Sequence, residues 1–575
     1  MKKLKILPII LATLMVASGC SKSETTETKE STVQSSLNSQ EINLSMVKPI
    51  TINPLLNKDR SVGYVMNLIY DGLFTIDENY NVVPQLVDTY QISQDGMSVD
   101  MKLKDANWHD KTPVTSQDVD FTIRLIQKNV DSSYYELVKN ISSVSIQNEK
   151  EFTIKFKQKY PFSIDTLIFP IVSENKIGTV NTKDANEIKK NLIGNGPYKI
   201  DKYEEREGMI LSKNEDYYNE LPKDVKDIKV GVVPDENALV SMVMALESDI
   251  ASISLNDLSK FYEKQFNLTT YEGRGYENII FNYDNPYLRD VNFRKAIAHA
   301  INRERIVEEG YMSDATLVNF PLNSNSKYYD KSLKPIKYDK DKAKSYLEKV
   351  KPVTDEELKQ LENKQKENQK NAKKDSKTNT KAVETKQETE TENVKEKDIK
   401  ESKEKEQEQA IDKEAQLKEK LAKIDLKILV NKNNTERVKS AHLIVENLKT
   451  IGIKSHIVEL EGQALDDAIS SKKYDLALVG WELSIIPDAR EIINNSGYSD
   501  EKLESYENSL INATTEEQIS DIYKSMQKYI NDNVIFISLA IRDEYIVTNR
   551  RVQGKISPNE FDVYEGITNL KTPEE

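Results

Sequence analysis

Residues 351–423 set the strongest limit on how this chain can fold. They contain no Gly, Trp, Tyr or Phe, and their 19 Lys are balanced by 19 Asp and Glu. A segment of this composition cannot bury enough apolar surface to offset the entropy lost on ordering it. We interpret it as a charged low-complexity loop insertion, with a spacer or docking arm as the alternative. The folded body must then be built from the residues on either side.

The rest of the chain alternates predicted strands and helices. Apolar and polar residues alternate over 151–157, which predicts a strand, and apolar residues recur at helical spacing over 61–73. Another helix is predicted over 291–309, and two separate strands are predicted over 534–541 and 545–549. Such alternation is typical of an α/β fold.

The N-terminal residues carry an export signal. A basic MKKLK precedes an apolar run, ILPIILATLMVA, which is shorter than the roughly 20 residues that span a bilayer. The run ends in ASGC at residues 17–20, which resembles the lipobox of bacterial lipoproteins, and Cys20 is the only cysteine of the chain. We predict a signal peptide over 1–19, acylation of Cys20 and a flexible tether over 20–40. An ordinary signal peptide with an incidental cysteine is the alternative.

Composition and motifs argue against several functions. The net charge of −14 offers no basic face for nucleic acid. His109, His299, His442 and His456 are far apart and lack metal-ligand spacing. The sequence contains no phosphate-binding loop, no H-E-x-x-H and no G-x-S-x-G motif. We therefore predict no catalytic residues, no metal site and no cofactor.

Four strings carry a resemblance to a known family. In chain order they are ANWHDKTPVTSQDVDFTIRLI, NGPYKIDKYEEREGMILSKNEDYY, VNFRKAIAHAINRERIV and NVIFISLAIRDEYIVTNRRVQG. They resemble blocks of the bacterial family 5 extracellular solute-binding proteins, which comprise the oligopeptide, dipeptide, nickel and related receptors of ABC importers. The matches fall within residues 41–350 and 424–570, on both sides of the charged insertion.

This resemblance implies a two-lobed α/β fold of the periplasmic-binding-protein type II, with the ligand in a cleft between the lobes. Lobe 1 would comprise residues 41–275 and 535–575, with 61–165 as an extra subdomain. Lobe 2 would comprise 276–534 and carry the insertion 351–423. Ligand binding closes such a fold about a hinge by bridging both lobes.

The same resemblance implies a ligand site at a strand that ends in Gly-Trp. In peptide-binding members, an Asp three residues beyond the Trp binds the α-ammonium of the peptide. Trp481 fits and is expected to line the pocket, whereas Ser484 stands where the Asp is usual and would offer a hydrogen bond. Glu482 and Asp488 are the acids that are candidates to bind the ammonium instead. The alternatives are that Glu482 is a solvated or Arg-paired carboxylate, or that the ligand has no free ammonium there.

Three further residues are candidates to contact the ligand. Asn57 and Ser61 lie in the loop before the first predicted helix of lobe 1, where the family places ligand contacts. Arg542 is a candidate to meet a carboxylate of the ligand from the hinge side. Its alternative role is a salt bridge within the last strands.

The function implied is that of a lipid-anchored, monomeric receptor on the extracellular face of a bacterial membrane. It would bind a peptide or peptide-like solute and deliver it to an ABC permease. Three alternatives stay open: a surface sensor or adhesin with the same fold, a receptor for a non-peptide ligand such as a metal chelate, and a hydrolase with carboxylate chemistry.

The lipid anchor leads to a first prediction. Cys20→Ala should move the protein from the membrane fraction to the soluble fraction, because two or three acyl chains bind a membrane stably and nothing else in the sequence has the length to span one. Fractionation followed by immunoblotting measures this. Equal membrane retention of the variant and the wild type would rule the anchor out.

Overall fold

The computed structural model describes most of the chain outside its N terminus and the charged insertion. Within the described residues, no helix is long and apolar enough to cross a lipid bilayer. Cys20 and the predicted signal peptide lie outside them. The described residues are 40–177, 192–262, 265–354, 356–357, 359–360, 363–364 and 421–572.

The strands fall into three sheets and one short hairpin. In chain order they are β1 Glu41–Val47, β2 Phe74–Ile76, β3 Val82–Pro84, β4 Val87–Ile92, β5 Ser98–Leu103, β6 Ile141–Ile146, β7 Glu151–Phe156, β8 Tyr198–Glu204, β9 Gly208–Lys213, β10 Asp227–Val233, β11 Ile250–Ile253, β12 Phe266–Phe281, β13 Ala315–Leu317, β14 Asp425–Asn431, β15 Lys454–Leu460, β16 Leu476–Glu482 and β17 Ile537–Asn549.

The longer helices pack against these sheets. Among the described residues, the α-helices of six or more residues are α1 Arg60–Asn67, α2 Ser116–Gln127, α3 Glu236–Met244, α4 Val291–Ala300, α5 Lys340–Leu347, α6 Thr435–Thr450, α7 Gly462–Ser470, α8 Arg490–Asn495, α9 Glu501–Asn512 and α10 Glu516–Asn533.

The sheets organise the chain into distinct regions. One four-stranded sheet has the order β1-β10-β9-β8, and a second, antiparallel one has the order β4-β5-β7-β6. A seven-stranded sheet has the order β11-β17-β12-β16-β14-β15, with β13 added beside β17. In it β12 pairs antiparallel with both β16 and β17, so these three strands connect the early and late parts of the chain.

Two large apolar cores lie on these sheets. The first gathers side chains from Ile42 to Ile250 and again from Ile546 to Leu570. The second gathers side chains from Ile279 to Ala540 and includes α4 and α6. The division fits the predicted lobes, whose exact boundaries stay a prediction.

Two predicted helices are shorter than expected. The helix predicted over 291–309 ends at Ala300, because Ile301 is extended, with φ −79° and ψ 119°. Asn302 then caps a new turn by accepting a hydrogen bond from the backbone N–H of Arg305 at 3.1 Å. The helix predicted over 61–73 ends at Asn67.

The last strands are also continuous where two were predicted. A single strand, β17, runs through the charged residues Arg542, Asp543 and Glu544. It is held there because the backbone of this stretch pairs with β12 on one side and β13 on the other. Backbone pairing with the two neighbouring strands therefore keeps β17 continuous, although the charged residues within it suggested that the strand would end there.

Both described ends of the charged insertion contact the body. Val353 packs against the second core, and Leu421 belongs to that core with 8% of its surface exposed. Lys364 forms an ion pair with Asp284 at 2.6 Å. A deletion that keeps these contacts must therefore lie between residues 364 and 421.

We predict that replacing residues 365–420 with a short Gly-Ser linker changes the melting temperature by less than ~5 °C. In the full chain, the control Leu421→Ala should lower it by more, because truncating a buried leucine costs about 2–5 kcal/mol. Differential scanning calorimetry of both proteins measures this. A linker variant that melts below the Leu421→Ala variant would show that the insertion packs on the body.

Candidate functional site

The end of β16 carries the predicted Gly-Trp pair. Trp481 lies opposite Tyr276 of β12 and packs with Tyr276 and Ile541 on one face of the sheet. The indole Nε1 is buried and has no hydrogen-bond partner among the described residues. Glu482 lies opposite Gly275 and is exposed. Its side chain leaves on the other face, because successive residues of a strand point to opposite faces.

A buried ion-pair network lies on the face away from the tryptophan. Glu277 on β12 accepts hydrogen bonds from Arg437 of α6, at 2.7 Å from Nε and 3.0 Å from Nη2. Arg437 passes over Gly480, where an added Cβ would lie 1.8 Å from Nη2. Arg542 lies 3.5 Å from Glu277 and 3.5 Å from Glu436. Arg542 therefore pairs with acids of β12 and α6 rather than within the last strands, and its contact with ligand stays a prediction.

Ser484 and Asp488 line a cavity of only about 30 Å³. The Ser484 hydroxyl accepts a hydrogen bond from the backbone N–H of Ile486 at 3.1 Å. The Asp488 carboxylate is bound by Arg490, with Nε 2.8 Å from Oδ1, and accepts a hydrogen bond from the Tyr160 hydroxyl at 3.2 Å. Asp488 is therefore already paired. For Glu482, by contrast, no cation lies within 4.0 Å in the described part of the chain.

Asn57 and Ser61 both bond to Asp59, the residue that caps α1. Ser61 donates to Asp59 Oδ1 at 2.6 Å and accepts from the backbone N–H of Val47 at 2.9 Å. The Asn57 amide donates to the Asp59 carbonyl at 2.7 Å. These bonds give both residues a structural role at the start of α1, and their contact with ligand stays a prediction.

A second, much larger cavity has a volume of about 610 Å³. Ile485 lines both cavities. The remaining walls come from segments within 67–85, 133–170, 197–220 and 559–569. The volume is that of a typical ligand pocket. None of the seven predicted ligand residues lines it.

Three carboxylates that line this cavity, Asp71, Asp562 and Glu565, have pKa values raised by burial. Burial raises the pKa of Asp71 to about 7, although hydrogen bonds from Tyr218 at 2.6 Å and Tyr217 at 3.0 Å oppose the rise. Burial, with the nearby charge of Glu565, raises the pKa of Asp562 to about 8. The protein therefore surrounds this space with carboxyl groups that lack the stabilisation water would give their charges.

A second group of acids lies beside Arg60. Glu560, whose side chain is 4% exposed, is held by Arg60 at 2.9 Å. Burial and the charge of Glu560 raise the pKa of Glu544 to about 7, and Glu482 contributes to the same rise. Arg274 also acts on Glu560, so two arginines lie among these three carboxylates.

The sequence identified part of this region and missed the rest. It located the loop after β16, but it did not identify Asp562 or Tyr70 as lining residues of the larger cavity. The string NEFDVYEG, at residues 559–566, interleaves acids and aromatics and was the available signal.

Within the described residues, no group of three or more His, Cys, Asp or Glu is placed to hold a metal ion.

Comparisons with known proteins agree with this architecture. The model of the family "Bacterial extracellular solute-binding proteins, family 5 Middle" matches residues 81–389. The chain is 24% identical to the oligopeptide-binding protein AppA of Bacillus subtilis over 522 residues, covering 86% of this chain and 84% of AppA. It is also 24% identical to OppA of the same organism, covering 60% of this chain and 68% of OppA.

A solved structure gives the same result for the fold. The ABC transporter substrate-binding protein CtaP of Listeria monocytogenes superposes with a TM-score of 0.65 at 21% identity, covering 93% of this chain and 99% of CtaP. The two-lobed α/β fold expected from the sequence is thereby confirmed. The matched family consists of solute receptors rather than enzymes.

The close approach of Arg437 to Gly480 yields a prediction. Gly480→Ala should lower the free energy of unfolding by about 3–5 kcal/mol, because any Cβ there displaces Arg437 and breaks its hydrogen bonds to buried Glu277, which keeps only Arg542 at 3.5 Å. Urea denaturation measures this. The matched control is Gly231→Ala in β10, where the nearest atom to an added Cβ is 3.9 Å away. Equal stability of the two variants would show that Arg437 does not exclude a side chain at position 480.

Proposed function

The chain belongs to the bacterial extracellular solute-binding proteins of family 5, and we propose that it is a lipid-anchored peptide receptor. It binds a peptide in the cleft beside the loop Leu483–Asp488 and delivers it to an ABC permease. The lobes are those predicted above, 41–275 with 535–575 and 276–534, and they close on the ligand as a monomer. Cys20 holds the receptor at the outer face of the cell membrane.

One observation carries the proposal. A cavity of about 610 Å³ is lined by Ile485, from the loop after the Gly-Trp strand, and otherwise by residues 67–220 and 559–569. A ligand that fills it contacts Ile485 on one side and the segments within 67–220 and 559–569 on the other. A ligand that contacts both sides favours the closed form over the open form. Peptide binding is also what the names of AppA and OppA state for those relatives.

The α-ammonium of the peptide needs an anion, since Ser484 replaces the usual aspartate. Asp488 is engaged by Arg490 at 2.8 Å and by Tyr160 at 3.2 Å. Glu482 is exposed, and no cation of the described residues lies within 4.0 Å of it. We therefore assign the ammonium to Glu482, which makes a charge-assisted hydrogen bond worth about 1.5–3 kcal/mol.

Calorimetric titration of one peptide, with and without N-acetylation, tests both parts of this proposal. We expect acetylation to weaken binding to the wild type tenfold or more, about 1.4 kcal/mol. Glu482→Gln should bind both forms equally weakly, while Asp488→Asn keeps the preference for the free terminus.

Other results have distinct meanings. Acetylation that costs affinity in the wild type and equally in Glu482→Gln would place the ammonium elsewhere. Acetylation without any effect would reject an ammonium site altogether. A failure of every peptide in a length series to bind would reject the peptide receptor.

A further inference from the structure

The larger cavity has aromatic walls. Tyr70, Phe74, Tyr134, Phe561 and Tyr564 all line it. Ring faces of this kind attract cations, and the attraction grows when the cation is removed from water. The walls alone would equally suit an apolar ligand, so the polar groups between them decide what the cavity accepts.

Asp562 is a carboxylate of the cavity wall without a cationic partner among the described residues. It accepts a hydrogen bond from the backbone N–H of Tyr564 at 2.9 Å. No Lys, Arg or His nitrogen of the described residues lies within 4.0 Å of it. Its neighbour Glu565 adds a second negative charge and likewise has no ion pair in the described part of the chain.

The basic residues at the rim are engaged elsewhere. Lys223 pairs with Glu220 at 2.9 Å and also donates to the Asn569 side chain at 3.0 Å. Lys104, which faces Asp71, donates to the Asn219 side chain at 3.0 Å. The protein thus leaves the carboxylate of Asp562 without a counter-ion of its own.

Tyr70 supplies a second, independent sign of a polar ligand. Its side chain is 3% exposed and lines the cavity, yet its hydroxyl has no hydrogen-bond partner among the described residues. A buried hydroxyl without a partner costs about 1–3 kcal/mol. A ligand group that donates hydrogen bonds would satisfy it.

We infer that the cavity binds the ammonium or guanidinium group of a basic side chain of the peptide, with Asp562 as its counter-ion and the aromatic rings around it. An anionic group would face Asp562 and Glu565 without a compensating cation. An apolar group would leave Asp562 and Tyr70 unsatisfied. The inference rests on the proposed peptide receptor and adds the class of its ligand.

The pH dependence of binding has a definite sign. Burial, with the charge of Glu565, raises the pKa of Asp562 to about 8, and Tyr64 and Tyr564 are the other titratable groups that face it. A cation binds the ionised carboxylate, so Asp562 releases its proton on binding. The affinity for a basic peptide should therefore rise between pH 6 and pH 8 by about tenfold per unit and then level off. Asp71 lines the same cavity with a pKa of about 7, so Asp562→Asn should abolish the rise above pH 7 and keep only the part that Asp71 contributes below it.

The decisive experiment compares tetra-alanine peptides that carry lysine or norleucine at each position in turn. At pH 8.5, calorimetry should show that lysine binds tenfold or more tightly than norleucine at one position in the wild type. Asp562→Asn should remove this preference and keep the affinity for the norleucine peptide. The control Glu220→Gln, at the same cavity but already paired with Lys223, should keep the preference.

Two further arms separate the possible failures. A lysine preference that survives N-acetylation assigns the cation to the side chain, and one that is lost overturns that assignment. Equal binding of lysine and norleucine at every position overturns the inference and leaves the peptide receptor standing. If no peptide binds, the change in melting temperature on adding pentylammonium or pentanol still tests whether the cavity binds a cation. Pentylammonium, but not pentanol, should raise the melting temperature of the wild type, and it should not change that of Asp562→Asn. An unchanged melting temperature of the wild type with pentylammonium would overturn the inference.

Discussion

The buried carboxylate of Glu277 fixes the base of the cleft. It lies on β12 with its side chain 4% exposed, and its partner Arg437 reaches it from α6 across Gly480 of β16. A charge this deeply buried is tolerated only while it stays paired. The pair therefore holds two strands and a helix in one register, and it needs a glycine at the crossing. Arg542, 3.5 Å from the same carboxylate, adds β17 to the network.

That register determines what each side of β16 offers to a ligand. Trp481 packs with Tyr276 and Ile541 on one face, while Glu482 leaves on the other face toward Arg60 and the neighbouring acids. Ile485 of the loop that follows lines both a cavity of about 30 Å³ and one of about 610 Å³. The ion pair thus fixes the strand from which this loop starts.

Local patterns predicted the local elements well. The alternation over 151–157 predicted a strand, and β7 spans Glu151–Phe156. Patterns failed where distant partners decide, as when pairing with β12 and β13 made β17 one strand. The Gly-Trp strand was recognisable by its resemblance to relatives. Asp562 was not, because the walls that enclose it come from residues hundreds of positions earlier.

Native mass spectrometry of the full-length protein, purified without refolding, tests the central claim that the cleft is a peptide receptor. We expect a bound population whose ligands, released by collisional activation, yield tandem spectra that read as peptide sequences. A bound molecule of another class, such as a metal chelate, would contradict the account. Detection of only the ligand-free protein, even after incubation with a peptide mixture, would also contradict it.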